Sequence, residues 1–457
     1  MTKEEFRNII GTVRELISGT EWEGHVFAVG GCCRDELMGL SIKDVDMVVD
    51  LPDGGIRFAD WLVANDHTAG NSVVYETYGT AMFRLKDFPD DELECVMTRK
   101  EKYPDRTSRN PVTVFGTLEE DCMRRDLTIN ALYIDVSSGS LLDMTGLGVD
   151  DIRNHVIRTP SDPDITYDDD PLRILRCVRF ASRFGWEISA ETYAGMIRNV
   201  SRLSIITSER IREEFTKLIC GKNAYTVLQE FSDVITVFIP EIRECVGFEQ
   251  KNRHHCFDAY THTLKAVENS SENSTIRLAL FFHDIGKPSV AHFDEKGEQH
   301  FYSHPKVSAE MTEKIMTRLR FDNDTKNKVV TLVKMHDSPV TLNNVNPDRR
   351  RIKKIMSQIG SELIFDLIEI KYCDNSAQNP EYFRGEDFYK QTREIVNEII
   401  TEKECFSIKH LAVDGNDLIA LGFRGKKIGE TLEKCLTAVI DGKVENEKSE
   451  LIKHITK

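Results

Sequence analysis

The sequence predicts an α+β protein: a mixed sheet with flanking helices over residues 1–160, then helices alone. Three observations carry this expectation. Residues 25–50, HVFAVGGCCRDELMGLSIKDVDMVVD, read as strand, glycine turn, short helix and second strand. Residues 72–85 and 93–98 read as further strands of the same sheet, and a closing strand follows in residues 143–160. Beyond residue 165 the apolar residues recur at helical spacing.

A chain of 457 residues is long enough for two or more domains with sizeable cores. Its formal net charge of −16 argues against general affinity for nucleic acid, so any polyanion must meet a local basic face. No apolar run approaches the roughly 18 residues of a membrane span, and the charged start MTKEEFRNII lacks the apolar core of a signal peptide. The eleven cysteines are odd in number and scattered without a CxxC pair, and neighbouring Cys32 and Cys33 cannot easily bridge each other. These features predict a cytoplasmic protein with reduced thiols and no membrane partner.

In chain order, residues 1–24 form an amphipathic helix and a turn. The apolar run from Val26 to Val29 is the first strand, Gly30 and Gly31 turn the chain, and a short helix lies around Arg34 to Met38. Asp44 and Asp46 project from one face of the second strand, because side chains alternate along a strand. Adjacent carboxylates repel, and a divalent cation between them relieves that repulsion. The glycines admit an anion close to the backbone, the helix start offers N–H groups to phosphates, and Arg34 adds a charged donor. A lone DxD usually caps a turn or sits on a solvated edge. Here it stands with GG and Arg34-Asp35, which together describe a site for a metal-bound triphosphate. The Gly-Lys-Ser/Thr ending of a P-loop is absent.

After Asp50 the segment LPDGG reads as a loop and residues 58–65 as a helix. Glu94 is either a third metal ligand or an ordinary exposed strand glutamate. The stretch TRKEKYPDRTSR, with Arg99, Lys100, Lys102, Arg106 and Arg109, suits a basic loop near phosphates as well as a plain solvated one. Arg124, Arg125 and Asp126 then precede a short amphipathic run in which Asn130 can tie a turn or reach a ribose. Within ITYDDDPLRILRCVRFASRFGW, Pro171 opens a helix with Asp168, Asp169 and Asp170 at its N-terminal end. Arg173, Arg176, Arg179 and Arg183 recur on one face without interleaved acids, which predicts an anion alongside.

GGCCRD with DVD, RRDLTINA, DDPLRILRCVRFASRFGW and SERIREEF resemble, in order, the motifs of the class II bacterial tRNA nucleotidyltransferases, the CCA-adding enzymes and their poly(A) polymerase relatives. The resemblance spans roughly residues 20–340. It implies a polymerase-beta-like head at 1–160, a helical neck at 161–235, a helical body at 236–378 and a tRNA-binding helical tail at 379–457. It places Asp44 and Asp46 on Mg2+, gives the triphosphate to Gly30, Gly31 and Arg34, and sets Arg125 and Asp126 beside the incoming nucleotide. It makes Asp170 and Arg173 a protein template for the base, with Arg176 and Arg179 close by. A carboxylate accepts from the exocyclic amine of cytosine or adenine and a guanidinium donates beside it, whereas uracil and guanine would oppose a carbonyl oxygen to the carboxylate. The family's usual Glu-Asp is Asp169-Asp170 here, which leaves the role of Asp169 open.

A second constellation lies downstream. His262, His283-Asp284, His304, His336 and Asp374 follow the order of ligands in the HD phosphohydrolase superfamily, which the segment resembles. The resemblance implies a metal on His262, His283, Asp284 and Asp374, with His304 and His336 available to a second. Nitrogen and oxygen ligands suit Mn2+, Ni2+, Fe2+, Co2+ or Mg2+. The same helices serve equally as scaffold for tRNA. In the tail, GNDLIALGFRGKKIGETL reads as a basic, glycine-punctuated turn feeding a helix, suited to gripping backbone phosphate or simply to joining helices.

The expected activity is template-independent addition of CCA to the tRNA acceptor arm from CTP and ATP, with release of pyrophosphate, by a monomer or homodimer. Alternatives are a poly(A) polymerase, a partial enzyme adding CC or A, and a metal-dependent HD phosphohydrolase with a nucleotide-binding head.

Overall fold

The structure, a computed structural model, describes residues 1–76, 79–102, 112–342 and 346–456. The chain divides into two compact units, residues 1–218 and 219–457.

In the first unit, α1 (Lys3–Ile17) starts at a reciprocal cap in which Thr2 Oγ1 accepts from Glu5 N and the Glu5 carboxylate accepts from Thr2 N. Its buried stripe is Phe6, Ile9, Ile10, Val13 and Ile17, the spacing of one helical face. Then come β1 (Val26–Val29), α2 (Gly31–Met38), β2 (Val45–Val49), α3 (Gly54–Ala64), β3 (Val73–Tyr75), β4 (Thr80–Leu85) and β5 (Phe88–Met97). β6 (Arg99–Lys102) pairs only with β7 (Val112–Phe115), and α4 (Leu118–Met123) leads to β8 (Tyr133–Asp135) and β9 (Leu141–Leu142). The seven-stranded sheet has the order β3-β4-β5-β2-β1-β8-β9. It is mixed, as expected: β2 and β5 run parallel, while β1 is antiparallel to both β2 and β8.

Three local readings change. LPDGG is not all loop, because Gly54 and Gly55 open α3. A Cβ on Gly55 would lie 2.7 Å from Cys95 O, so glycine lets α3 rest directly on β5. Part of the basic stretch, Arg99–Lys102, is a strand, and its residues 103–111 lie outside the described residues. The aspartates before Pro171 do not begin the arginine helix.

They close a separate helix instead. α5 (Gly148–Asn154) and β10 (Val156–Ile157) precede α6 (Pro163–Asp169), which Asp162 caps by accepting from Asp164 N. Asp170 is extended at φ −146° and ψ 100°, the region forced on a residue before proline, and α7 (Leu172–Phe184) follows. Asp168 thus sits at a helix C-terminal end, where the dipole disfavours it, and Arg202 pairs with it. β11 (Glu187–Ile188), α8 (Ala190–Asn199) and α9 (Ser208–Ile219) complete this part of the chain.

The division between units falls inside the expected neck, 161–235. Residues 161–218 stay with the sheet because Arg176 pairs with Asp126 and Arg183 with Asp35.

The second unit is built mainly of helices. α10 (Ala224–Glu230), α11 (Ser232–Thr236), α12 (Ala259–Glu268), α13 (Ser274–Phe282) and α14 (Lys287–Val290) precede a short hairpin of β12 (His292–Phe293) and β13 (Gln299–His300). α15 (His304–Arg318), α16 (Asn323–Met335) and α17 (Arg349–Ser376) follow. The tail holds α18 (Glu386–Thr401), α19 (Gly415–Ala420), α20 (Lys426–Ile440) and α21 (Lys448–Ile455). Gly422 and Gly425 take positive φ in the turn between α19 and α20, as the glycine-punctuated stretch requires. All cysteines are free thiols. Among the described residues, no helix is long and apolar enough to cross a membrane.

Candidate active site

Three carboxylates act on one another where the start of β2 lies beside β5. Asp46 stands opposite Glu94 in the parallel register, and Asp44 directly precedes β2. Burial and then Glu94 push the Asp46 carboxyl up to about 6, with Asp44 adding to the rise and Arg125 opposing it. A carboxyl held that high is short of counter-charge, so the group has the donor set and the electrostatic need for a divalent cation. Of the two readings of Glu94, the register favours the metal-side one.

Gly30, at φ 79°, carries the chain from β1 into α2, and its N–H donates to Leu132 O at 3.0 Å. The positive φ favours glycine here, and a Cβ would stand in ordinary contact with Arg125 Nη1, 3.4 Å away. Arg125 therefore lies against the Gly30-Gly31 turn, as a phosphate-binding arginine should.

Arg34 is placed differently from the expectation. It is only 3% exposed, its Nε donates to Asp35 Oδ1 at 2.9 Å and its Nη1 to Asn130 Oδ1. Its guanidinium also lies over the rings of Phe180 and Phe184. In this arrangement it binds the turn to Asn130 and α7 rather than opening toward a phosphate.

The sequence reading missed Asp121. Its fully buried carboxylate accepts from Arg124 Nη2 at 2.6 Å, Arg125 Nη2 at 3.0 Å and Tyr133 Oη at 2.7 Å. Burial raises its pKa, yet Arg125 and Arg124 more than offset this and leave it well below the usual carboxylate range. The signal was available: Asp121 precedes the two arginines by three and four residues on a helix opened by the capping box Thr117-x-x-Glu120.

Asp126 is 9% exposed and accepts from Asn130 Nδ2 at 3.1 Å and Arg176 Nε at 2.7 Å. Burial opposes its ionisation, and Arg176 with Asn130 overcomes that and holds it down near 2. Asp126, Arg125, Asp170, Arg173 and Arg176 all line one cleft of 450 Å³. Arg173 Nη1 donates to Thr166 O at 3.2 Å, and Asp170 pairs with Arg210 at 2.6 Å.

The repulsion argument for an anion along the arginine face needs correction. The acids missing from α7 come from other elements. Asp126 and Glu214 pair with Arg176, Glu214 with Arg179 at 2.5 Å, and Asp35 with Arg183 at 3.4 Å. The fold itself thus neutralises most of this face. Asp169 is the last residue of α6 and is not among the residues that line the cleft.

In the second unit all six expected ligands converge. His262 Nε2 lies 3.0 Å from Asp374 Oδ1 and 3.4 Å from Asp284 Oδ2, and His283 Nε2 lies 3.2 Å from Asp284 Oδ2. His304 Nε2 is 3.2 Å from Asp284 Oδ1 and 3.1 Å from His336 Nε2. On every ring the other nitrogen meets a main-chain carbonyl. His262 Nδ1 is 3.2 Å from Ala377 O, His283 Nδ1 2.6 Å from Leu280 O, His304 Nδ1 2.9 Å from Phe301 O and His336 Nδ1 2.7 Å from Val333 O. A carbonyl can only accept, so each Nδ1 carries its hydrogen and Nε2 is the ring nitrogen left to bind a metal. Four Nε2 atoms held this close to two aspartates form the donor set of a divalent-metal centre. Lys287, overlooked in the sequence although it lies one turn after Asp284, places Nζ 2.6 Å from Asp284 Oδ2. The centre opens into a 540 Å³ cavity lined in part by His255, Lys287 and Asp337.

Comparison with known proteins agrees with the fold. Residues 26–158 match the poly(A) polymerase head domain family, residues 185–245 match the probable RNA and SrmB-binding site of polymerase A, and residues 300–455 match tRNA nucleotidyltransferase domain 2. The chain is 28% identical over 433 residues to the multifunctional CCA protein of Legionella pneumophila strain Paris, covering 91% of this chain and 97% of that one. It is 35% identical over 217 residues to the mitochondrial CCA tRNA nucleotidyltransferase of Saccharomyces cerevisiae, covering 44% and 39%. The fold is shared with the CCA-adding enzyme of Bacillus stearothermophilus solved in complex with CTP, with a TM-score of 0.69 and 20% identity over 99% of this chain and 96% of that one. With the ordered motifs and the carboxylate site of the sheet unit, these matches place the chain in the class II tRNA nucleotidyltransferase family of CCA-adding enzymes and poly(A) polymerases.

Proposed function

We propose that the protein is a template-independent tRNA nucleotidyltransferase that adds CCA to tRNA 3′ ends from CTP and ATP and releases pyrophosphate. The observation that carries this reading is the Asp44, Asp46 and Glu94 group beside the Gly30 turn, joined through Arg125 to the cleft that Asp170 and Arg173 line. Asp44 and Asp46 would hold Mg2+, whose charge would ease loss of the primer 3′-hydroxyl proton and departure of pyrophosphate. The chain's own groups do the rest. The Gly30-Gly31 backbone and Arg125 hold the triphosphate, Asp126 orients Arg176 and the sugar side, and Asp170 with Arg173 reads the edge of the base. Glu94, opposite Asp46, adds a third carboxylate to the pair for a cation.

The head is taken as residues 1–160, the neck as 161–235, the HD-type body as 236–378 and the tail as 379–457. The basic turn before α20 is suited to the phosphates of the acceptor arm. The working state is a cytoplasmic monomer or homodimer. The deciding experiment offers each labelled nucleoside triphosphate, with Mg2+, to tRNA transcripts ending at the discriminator base, at C and at CC. Two C and then one A, stopping there, is the expected result. An open-ended A ladder would assign a poly(A) polymerase instead, and addition of C or A alone a partial enzyme.

A second reading is favoured by the four pinned histidine rings. The helical unit is a metal-dependent phosphohydrolase centre that binds Mn2+, Ni2+, Fe2+, Co2+ or Mg2+ through His262, His283, Asp284 and Asp374, with His304 and His336 toward a second ion. Its substrates are 2′,3′-cyclic or terminal phosphates at damaged tRNA ends. Metal analysis, together with hydrolysis assays on transcripts bearing those ends, tests it.

A further inference from the structure

The motif SERIREEF lies on α9 and supplies Arg210, Glu213 and Glu214 to the cleft. Arg210 and Glu214 are one turn apart and so share a face. Glu214 is engaged with Arg176 and Arg179. Arg210 forms a two-pronged contact with Asp170, Nη2 to Oδ2 at 2.6 Å and Nη1 to Oδ1 at 3.3 Å. Asp170 belongs to neither α6 nor α7, so no helical frame directs its side chain. Apart from Arg210, Leu172 N holds it, donating to Oδ1 at 3.2 Å.

We propose that Arg210 is a specificity-determining positioning residue that sets the plane of the Asp170 carboxylate. This rests on the reading of Asp170 and Arg173 as the base-reading pair. A guanidinium fork uses one lone pair on each oxygen and fixes the carboxylate plane. With Leu172 N also on Oδ1, the lone pair left on Oδ2 is held in one orientation, where it accepts the amine of cytosine or adenine and opposes the carbonyl of uracil or guanine. Freed of the fork, the carboxylate can rotate away from a carbonyl, and the penalty against the wrong base shrinks. The Arg210 side chain is 48% exposed and that of Asp170 20%, so removing the arginine strands no buried charge.

The test is single-nucleotide addition to a tRNA transcript ending at the discriminator base, comparing kcat/KM for CTP and UTP. Wild type, Arg210→Ala, Arg210→Lys, Asp170→Ala and the double variant Arg210→Ala with Asp170→Ala are assayed on full-length protein. In Arg210→Ala the CTP-to-UTP ratio is expected to fall about tenfold, chiefly through improved use of UTP, because a well-placed polar pair discriminates at about that level. Lysine, a single charge without the fork, restores part of the ratio. The double variant discriminates no worse than Asp170→Ala alone. An equal loss of kcat/KM for both nucleotides would overturn the proposal and make Arg210 a general phosphate contact, and so would additive losses in the double variant. A wild-type enzyme without preference for CTP would overturn the base-reading assignment itself, an outcome separate from either.

Discussion

Arg125 Nη1 lies against the Gly30 turn, 3.4 Å from where a Cβ on that glycine would stand, an ordinary van der Waals contact. The position of the arginine that would neutralise a phosphate therefore depends on the course of the turn that admits it.

Replacing Gly30 with alanine tests that dependence. At φ 79° alanine pays about 1–2 kcal/mol of backbone strain, and relieving it shifts the turn against which Arg125 lies. The expected result is a melting temperature lower by roughly 2–8 °C. Transfer activity should fall further, by about 100-fold, because displacement of a charged group by about 1 Å costs that much. Thermal melts alongside CTP incorporation measure both. Activity unchanged in a folded variant would remove the turn from the phosphate site.

Glu94→Gln should move stability and metal affinity in opposite directions. Asp46 is raised to about 6 by burial and by Glu94, so in metal-free protein the folded state binds its proton more tightly than the unfolded state does. That contribution is present below the unfolded value near 4 and is lost as pH rises through about 6. Removing the neighbouring charge reduces the loss. The metal-free variant should melt higher than wild type at pH 7, by roughly 2–4 °C for about 1 kcal/mol, and this advantage should disappear at pH 4. Divalent cations should stabilise the variant less than wild type, because one charge has left the site. Melts at both pH values with chelator and with Mg2+ measure the four quantities, and a variant that loses stability without metal would contradict this account of Asp46.

Legibility in the sequence followed the range of the interactions. Asp44 and Asp46 were readable because strand alternation alone sets them on one face, and α2 and β2 followed from a glycine turn between apolar runs. Glu94 was ambiguous because its value depends on β5 pairing in parallel beside β2, a long-range register. The arginines of α7 misled because their partners Asp126, Glu214 and Asp35 lie on other elements, and counting charges along one helix cannot find them. Pro171 was correctly read as a helix start, but its effect on Asp170, which separates α6 from α7, was not. The histidines were legible as an order of ligands. The carbonyls that select their tautomers are main-chain atoms and leave no trace in the side-chain sequence.

Asp121→Asn should be among the most destabilising single changes in the head. The carboxylate is buried among Arg124, Arg125 and Tyr133, and an amide leaves the arginines without their counter-charge, a loss of about 3–5 kcal/mol. Its folded pKa is depressed, so the stability it contributes is present above the unfolded value near 4 and is lost as pH falls through the lower folded value. The gap between wild type and variant should therefore be widest at neutral pH and should narrow below about pH 4. Denaturant unfolding across that range measures it, and a gap independent of pH would mean that packing rather than charge explains the effect.

Asp284→Ala and Asp46→Ala should separate two chemistries in one chain. Asp284 touches Nε2 of His262, His283 and His304, so its loss should weaken metal binding in the helical unit by more than about 100-fold. It also leaves Lys287 without its acid, and Asp374→Asn, which keeps Asp284 paired with Lys287, controls for that destabilisation. Metal content by elemental analysis should fall in both helical-unit variants while incorporation of CTP persists. Asp46→Ala should do the reverse, abolishing incorporation while the helical unit keeps its metal and any phosphatase activity. The histidine rings make the first outcome specific: with each Nδ1 committed to a carbonyl, only Nε2 is available to a metal on each ring. Loss of both activities from either substitution would mean that the carboxylates of the sheet and the histidines of the helices do not form independent sites.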